Sequence, residues 1–151
     1  MSKKPSEKTV HAWICLHRAH RLLLDRVENA LKTEGLPPLD WYDVLLELQR
    51  EKSEGLRQFE IGDKVLLNKH NLSRLLDRLE NEQLLSRYAC AEDKRGNRIK
   101  ITDKGEKLLK QMWPVYSQSI QEYFGERLNA NEIFEMSRVL EQLLNQTNEA
   151  V

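Results

Sequence analysis

The sequence has few of the features that build disulfide scaffolds, membrane spans or exported proteins. Its 151 residues include only two cysteines, Cys15 and Cys90, which stand far apart and form no Cys-x-x-Cys motif. We therefore expect neither a disulfide framework nor a zinc site, and a reducing cytoplasm as the location. Every apolar run is short and interrupted by charge, so neither a membrane span nor a secretion signal is predicted.

Motifs of catalysis and metal binding are also missing. The chain has no Gly-x-Ser-x-Gly, no His-Glu-x-x-His and no glycine-rich phosphate loop, and its acidic residues are not paired on a sharp turn. His17 and His20 stand three apart on a predicted helix, but no cysteine or carboxylate completes a ligand set at short range. We expect no enzyme activity, no cofactor and no metal.

The net charge is zero, with 24 basic and 24 acidic side chains, which by itself argues against a nucleic-acid partner. The charges are unevenly distributed, however. Between residues 92 and 104 five cations stand against three anions, whereas from residue 117 onward two arginines stand against six glutamates. The chain is therefore electrically polarised along its length.

Apolar periodicity predicts helices at both ends of the chain. One long helix is expected over Ser6–Lys32. The helical period returns from Thr102, with a bend expected at Pro114. A last helix is predicted to begin at Asn129, which has capping-box spacing to Glu132.

The middle of the chain predicts three further helices. Asp40 is a suitable cap for the first of them, whose inward stripe is Trp41, Val44, Leu45 and Leu48. Residues 56–57 are expected to form a short edge strand before a helix starting near Gln58, with Ile61, Val65 and Leu66 inward. Asn68 is expected to cap the next helix, whose inward stripe is Leu72, Leu75, Leu76 and Leu79.

After this helix the pattern changes to short alternation around a polar turn at residues 93–97, which predicts a β-hairpin. Ile99 and Ile101 would share one face, and Arg98 and Lys100 the other. A basic helix directly before a basic hairpin is typical of a winged helix-turn-helix. The helix fits a major groove about 12 Å wide, and the hairpin reaches the flanking backbone or minor groove.

The residues themselves resemble the MarR family of transcriptional regulators. The run Asp93-x-Arg95-x-x-x-Ile99-x-Ile101-Thr102-x-x-Gly105 is similar to the wing signature of that family. Residues 72–80 resemble its recognition helix, and residues 39–45 resemble its second helix. The resemblance extends over nearly the whole chain, from about His11 to Leu144.

This resemblance implies a mainly α fold with a small β-hairpin (α+β), forming a winged helix-turn-helix lobe at residues 39–104. It implies a homodimer in which residues 6–33 and 106–147 supply the dimerisation helices. The two lobes would meet half-sites of a palindromic operator about 10 bp apart. The resemblance also implies that Arg95 or Arg98 enters the minor groove and that Asp93 steadies the wing by pairing with an arginine. Gly62 would stand where the helices of the helix-turn-helix cross, a position at which the family usually has a small residue.

The candidate DNA contacts lie on the predicted recognition helix and the hairpin. Residues near the helix start usually read bases, and here these are Lys69, His70, Asn71 and Ser73. Arg74 and Arg78 are further candidates, the alternative being a solvated face paired with Asp77 and Glu80. The hairpin contributes Lys94, Arg95 and Arg98, the alternative being a polar tip that discourages edge pairing.

Cys15 and the aromatic residues each admit two interpretations. Cys15 is either a buried structural thiol or, as in some members of the MarR family, a peroxide sensor activated by nearby His11, His17 and Arg18. Cys90 is expected to be structural. Trp13, Trp41 and Tyr42 either pack in the core or line a cavity for a small-molecule inducer.

Together these features predict a homodimeric regulator that binds double-stranded DNA and represses, or occasionally activates, by occupying an operator. A small ligand or an oxidant would weaken binding by changing the distance between the two lobes. The alternative is a winged-helix interaction adaptor that has lost DNA binding, as the zero net charge would allow. Such an adaptor would show no steep salt dependence.

Overall fold

A computed structural model describes residues 3–89 and 97–148. Its helices are α1 (Glu7–Thr33), α2 (Leu39–Arg50), α3 (Gln58–Lys64), α4 (Lys69–Asn81), α5 (Asp103–Tyr123) and α6 (Ala130–Leu144). Its strands are β1 (Leu56–Arg57), β2 (Leu85–Ala89) and β3 (Asn97–Ile101), and short 3-10 turns follow α5 and α6. The predicted mainly helical fold with a small sheet is confirmed. No helix in the part of the chain that the structure describes is both long and apolar enough to cross a membrane.

The chain divides into two compact units, one formed by residues 28–116 and the other by residues up to 27 with those from 117 onward. In the first unit, β3 lies between β1 and β2 and pairs antiparallel with both, so that Ile99 opposes Leu56 and Arg87. The core of this unit is apolar and includes Val44, Leu45, Leu48, Leu56, Ile61, Leu76, Leu79, Leu85, Ile99 and Met112.

Helix α4 forms as its sequence predicts. The side chain of Asn68 accepts a hydrogen bond from the backbone N–H of Asn71 at 2.8 Å, which satisfies one of the free donors at the helix start. The predicted inward residues are all buried: Leu72, Leu75, Leu76 and Leu79. The polar faces of α4 are therefore directed away from the core.

The predictions for Asp40 and Leu66 are wrong. Helix α2 begins at Leu39, so Asp40 lies inside its first turn and does not cap it; instead Glu28 accepts a hydrogen bond from the Leu39 N–H at 2.7 Å. Leu66 was expected inward but is 99% exposed. Because α3 ends at Lys64, the helical period no longer applies there, and Val65 alone turns into the core.

Thr102 joins the end of α4 to the start of α5. Its hydroxyl donates to the carbonyl of Gln83 at 2.7 Å and accepts from the N–H of Gly105 at 3.1 Å, while its own N–H donates to the carbonyl of Leu84 at 3.1 Å. Gln83 adopts φ +63°, which turns the chain out of α4. The threonine thus caps α5 and bonds two carbonyls of the turn that follows α4.

Gly105 permits this close junction because it has no Cβ. A Cβ there would collide with the backbone carbonyl of Leu84 and lie 2.7 Å from Cγ1 of Ile101. Lys104, its neighbour, donates from its ammonium group to the carbonyl of Glu82 at 2.8 Å. The Thr-x-x-Gly part of the sequence motif therefore has a structural reason: it fastens α5 to the end of the recognition helix.

The second unit exposes most of its apolar surface. Helix α6 is capped as predicted, since Asn129 and Glu132 each bond the other's backbone N–H at 2.8 and 3.0 Å. It nevertheless contains no buried residue, and residues 7–22 of α1 are all exposed. The large apolar side chains exposed in this unit include Val10, Trp13, Ile14, Leu16, Leu22, Ile133, Phe134, Val139, Leu143 and Leu144.

The same substitution at two helical glycines is expected to change stability in opposite directions. The resemblance implied that Gly62 must be small, but a Cβ there meets only Cδ2 of Leu72 at 3.5 Å, an ordinary contact. Gly62→Ala should therefore raise the free energy of unfolding by about 0.5–1 kcal/mol, through helix propensity. Gly105→Ala should lower it by about 1–3 kcal/mol, because the junction must move apart.

Denaturant titration of the wild type and the two variants measures both effects, each variant serving as the control for the other. Equal changes in the free energy of unfolding at the two positions would show that helix propensity alone determines both effects. The close contact at Gly105 would then make no contribution to stability.

Candidate nucleic-acid interface

The outward stripe of α4 consists of His70, Arg74, Asp77 and Asn81. These residues follow the spacing i, i+4, i+7, i+11 and are all exposed, on the side opposite the buried leucines. Lys69 and Asn71 are exposed at the start of the helix, and Ser73 is half-buried on one flank. The structure therefore brings the predicted contacts of the recognition helix together on one continuous surface.

Arg78 and Arg74 are held differently. The guanidinium of Arg78 lies 5.7 Å from the centre of the Trp41 ring on α2, so Arg78 is directed toward α2 on the edge of the helix surface. Arg74 is fully outward, and among the residues that the structure describes no carboxylate pairs with it. Of the two arginines, Arg74 is thus the one free to meet an anionic partner.

Arg87 on β2 neutralises the acidic residues of α4, which the sequence did not reveal. Its guanidinium lies 2.8 Å from the carboxylate of Asp77 and 3.1 Å from that of Glu80, and its side chain is only 19% exposed. These carboxylates therefore do not pair with Arg74 or Arg78, as the alternative interpretation assumed. The signal was the alternation of β2, which places Arg87 on the same inward side as Leu85.

The hairpin strands confirm the predicted faces. Ile99 and Ile101 are buried, while Arg98 and Lys100 lie on the other face and are half-buried. The Lys100 ammonium sits 4.9 Å from the centre of the Tyr88 ring across the strand pair. The remaining predicted wing residues, Asp93, Lys94 and Arg95, and the cysteine Cys90 lie outside the described residues.

Cys15 is exposed on α1, so its predicted burial is wrong for the single chain. Its Sγ lies 3.4 Å from Nε2 of His11, one turn earlier, and His17 packs edge-on against Trp13 with ring centres 4.3 Å apart. The sulfur is accessible because this half of α1 has no buried residue. Across residues 3–89 and 97–148 no three histidine, cysteine or acidic side chains are grouped so as to hold a metal ion.

A helix with a buried leucine stripe, an outward surface that carries Arg74 and has its acidic residues neutralised by Arg87, and a three-stranded sheet are together typical of a winged helix-turn-helix DNA-binding protein. A model of the MarR family matches residues 34–96. The HTH-type transcriptional regulator MhqR of Bacillus subtilis strain 168 is 34% identical over 117 residues, which cover 78% of this chain and 79% of MhqR. The chain belongs to the MarR family of transcriptional regulators.

Solved structures of family members share the fold. AbsC from Streptomyces coelicolor superposes with a TM-score of 0.83 at 24% identity, covering 98% of this chain and 99% of AbsC. Sco3205 from the same organism, solved in complex with DNA, superposes with a TM-score of 0.87 at 21% identity, covering 97% and 91%. These three relatives are all regulators of transcription.

Proposed function

We propose that this protein is a cytoplasmic repressor that binds a palindromic operator as a homodimer and releases it in response to a small ligand or an oxidant. The observation that carries the proposal is the outward stripe of α4, whose acidic member Asp77 is neutralised from behind by Arg87. A helix surface with its carboxylates neutralised in this way is suited to approach phosphates. Sco3205, which has this fold, was solved with DNA bound.

In this proposal α4 enters the major groove. Lys69, His70, Asn71 and Ser73, at its N-terminal end, read base edges, and Arg74 supplies the central cation. Arg78, held against Trp41, contacts backbone at the margin. The wing, with Lys94, Arg95 and Arg98, reaches the flanking minor groove, and Asp93 stabilises its shape.

The proposed homodimer follows from the apolar surface of the second unit. Helix α6 is amphipathic, yet none of its residues is buried in the single chain. Its apolar face would be stabilised by about 25 cal/mol for each Å² removed from water, so we expect a partner surface to cover it. The polar face of α6 carries Glu132, Glu135, Arg138 and Glu141, so the apolar face is distinct. We assign residues 6–33 and 106–147 to an interlocked interface above about 2,000 Å².

DNA binding is tested by selecting duplexes from a random pool and then measuring the salt dependence of affinity for the enriched sequence. We expect an enriched palindrome, and we expect Arg98→Ala to reduce the magnitude of the salt slope by about one, because one phosphate contact is lost. Arg138→Ala, on the polar face of α6, removes the same charge outside the proposed DNA-binding surface and should leave the slope unchanged. No enrichment, with weak binding and a flat slope, would favour the adaptor instead.

The dimer is tested with two charge insertions on adjacent residues of α6. Leu143 is 46% exposed on the apolar face, whereas Gln142 lies on the polar face. Leu143→Glu should convert the protein to monomers in light scattering at micromolar concentration, because a buried unpaired carboxylate costs several kcal/mol. Gln142→Glu should remain dimeric, and a monomeric wild type would contradict the proposal.

Oxidation of Cys15 is the second proposed route of release. The sulfur lies next to His11 and is exposed in the single chain, and a charged or bulky oxidation product on α1 would disturb the proposed interface, which includes this helix. Operator binding by Cys15→Ser should then survive a hydroperoxide treatment that releases the wild type. Equal loss in both proteins would exclude Cys15 as the sensor.

A further inference from the structure

Helix α4 carries an acidic residue at the centre of the surface that the proposed function presents to DNA. With 3.6 residues per turn, Arg74 and Asp77 each lie about 30° from the line opposite the buried leucines, one on either side of it. Asp77 therefore faces outward as much as Arg74 does, and its side chain is 63% exposed. Because phosphates repel a carboxylate, attraction to the DNA backbone does not account for an acid at this position.

The ion pair with Arg87 uses only one oxygen of Asp77. Nη1 of Arg87 lies 2.8 Å from Oδ1 of Asp77 and 3.1 Å from Oε1 of Glu80. No residue of the ranges that the structure covers bonds the other oxygen of Asp77, Oδ2. The carboxylate therefore keeps an unused hydrogen-bond acceptor.

Glu80 holds Arg87 from a different side of α4. Glu80 lies about 90° from the outward line, on the flank that packs against β2, and is 41% exposed. An acid on this flank is enough to anchor α4 to the sheet without facing DNA. Anchoring through Arg87 therefore does not by itself explain why a second acid stands on the outward surface.

Arg87 also fixes the direction of the Asp77 side chain before any DNA arrives. The guanidinium is itself only 19% exposed and bonds both carboxylates, so the side chain of Asp77 is held by a fixed donor. A side chain that is already ordered loses little conformational entropy on binding. Asp77 is thus a pre-oriented acceptor on the helix surface.

The edges of the four bases differ in what they offer a carboxylate in the major groove. Guanine presents N7 and O6 and thymine presents O4, which are all acceptors, and adenine presents the acceptor N7 beside its N6 donor. Cytosine presents the N4 amino donor with no acceptor of its own beside it. We propose that Asp77 is a specificity-determining residue that accepts a hydrogen bond from N4 of one cytosine in each half-site.

This inference rests on the proposed function, because Asp77 can read a base only if α4 enters the major groove. Duplex selection with the wild type separates the two. A wild type that enriches no sequence contradicts both, whereas an enriched operator without a fixed cytosine in each half-site contradicts only the role of Asp77.

The experiment repeats the selection with Asp77→Asn and Glu80→Gln. Asparagine can still accept from Arg87, but its amide also donates, and it pairs with N6 and N7 of adenine. Asp77→Asn should therefore change the preference at one base pair of each half-site from cytosine to adenine and leave the other positions unchanged. Glu80→Gln removes a charge from the same Arg87 group on the flank of α4, and should still select cytosine.

A chemical change in the DNA gives a readout that does not depend on the folding of a variant. In N4-methylcytosine a methyl group replaces the amino hydrogen that faces the major groove, so the wild type should bind an operator methylated there about tenfold more weakly. Asp77→Ala should bind the methylated and unmethylated operators equally. Full binding of the wild type to the methylated operator, or uniformly weaker binding by Asp77→Asn with cytosine still preferred, would overturn the proposal and leave Asp77 as an anchor for Arg87.

Discussion

The burial of four leucines on one side of α4 is the constraint on which the DNA-binding surface depends. Leu72, Leu75, Leu76 and Leu79 together contribute roughly 6–12 kcal/mol of transfer free energy, which fixes the rotation of the helix about its axis. Once that rotation is fixed, Arg74 and the N-terminal residues of α4 have only one direction in which to point. The recognition surface is thus a consequence of the core.

The ends of α4 are fixed separately from its faces. Asn68 closes the first turn, and Thr102 with Gly105 joins the last turn to α5. Arg87 then fastens the middle of the helix to the sheet through two carboxylates. A displacement of α5 would therefore be transmitted directly to the end of the recognition helix, because short hydrogen bonds and a close backbone contact link the two. This provides a physical route by which an event elsewhere in the chain can move α4.

Local sequence signals predicted the parts of this architecture that depend on local physics. Helical period located the leucines, and side-chain caps located Asn68 and Asn129, because those interactions span three or four residues. Arg87 was missed because its partners lie on another element. The cap at Asp40 was wrong, and the buried alternative for Cys15 does not hold in the single chain, because neither the start of a helix after proline nor the exposure of a helix face follows from period alone.

The ring contacts of Tyr42 on α2 with Trp113 and Tyr116 on α5 were missed for the same reason. The sequence predicts that Tyr42 shares a core or a cavity with Trp13 and Trp41, whereas its ring partners come from α5, about seventy residues further along the chain. For Arg87, the alternation of β2 was a signal in the sequence that could have revealed its role. A charged residue on the inward side of a strand requires a partner, and the helix packed against that strand carried two acidic residues.

The zero net charge of the chain is reconciled with DNA binding by where the acidic side chains lie. Phosphate binding depends on the cations that reach the DNA and not on the sum over the molecule, because counterions are released locally and distant charges are screened within about 10 Å. Arg87 neutralises the carboxylates of α4 at the surface where they would repel phosphate. The other acidic residues are spread along the chain and include Glu132, Glu135 and Glu141 on α6 and Asp40, Asp43 and Glu47 on α2. A chain with no net charge can therefore carry a locally basic α4, because Arg87 offsets the two carboxylates of that helix.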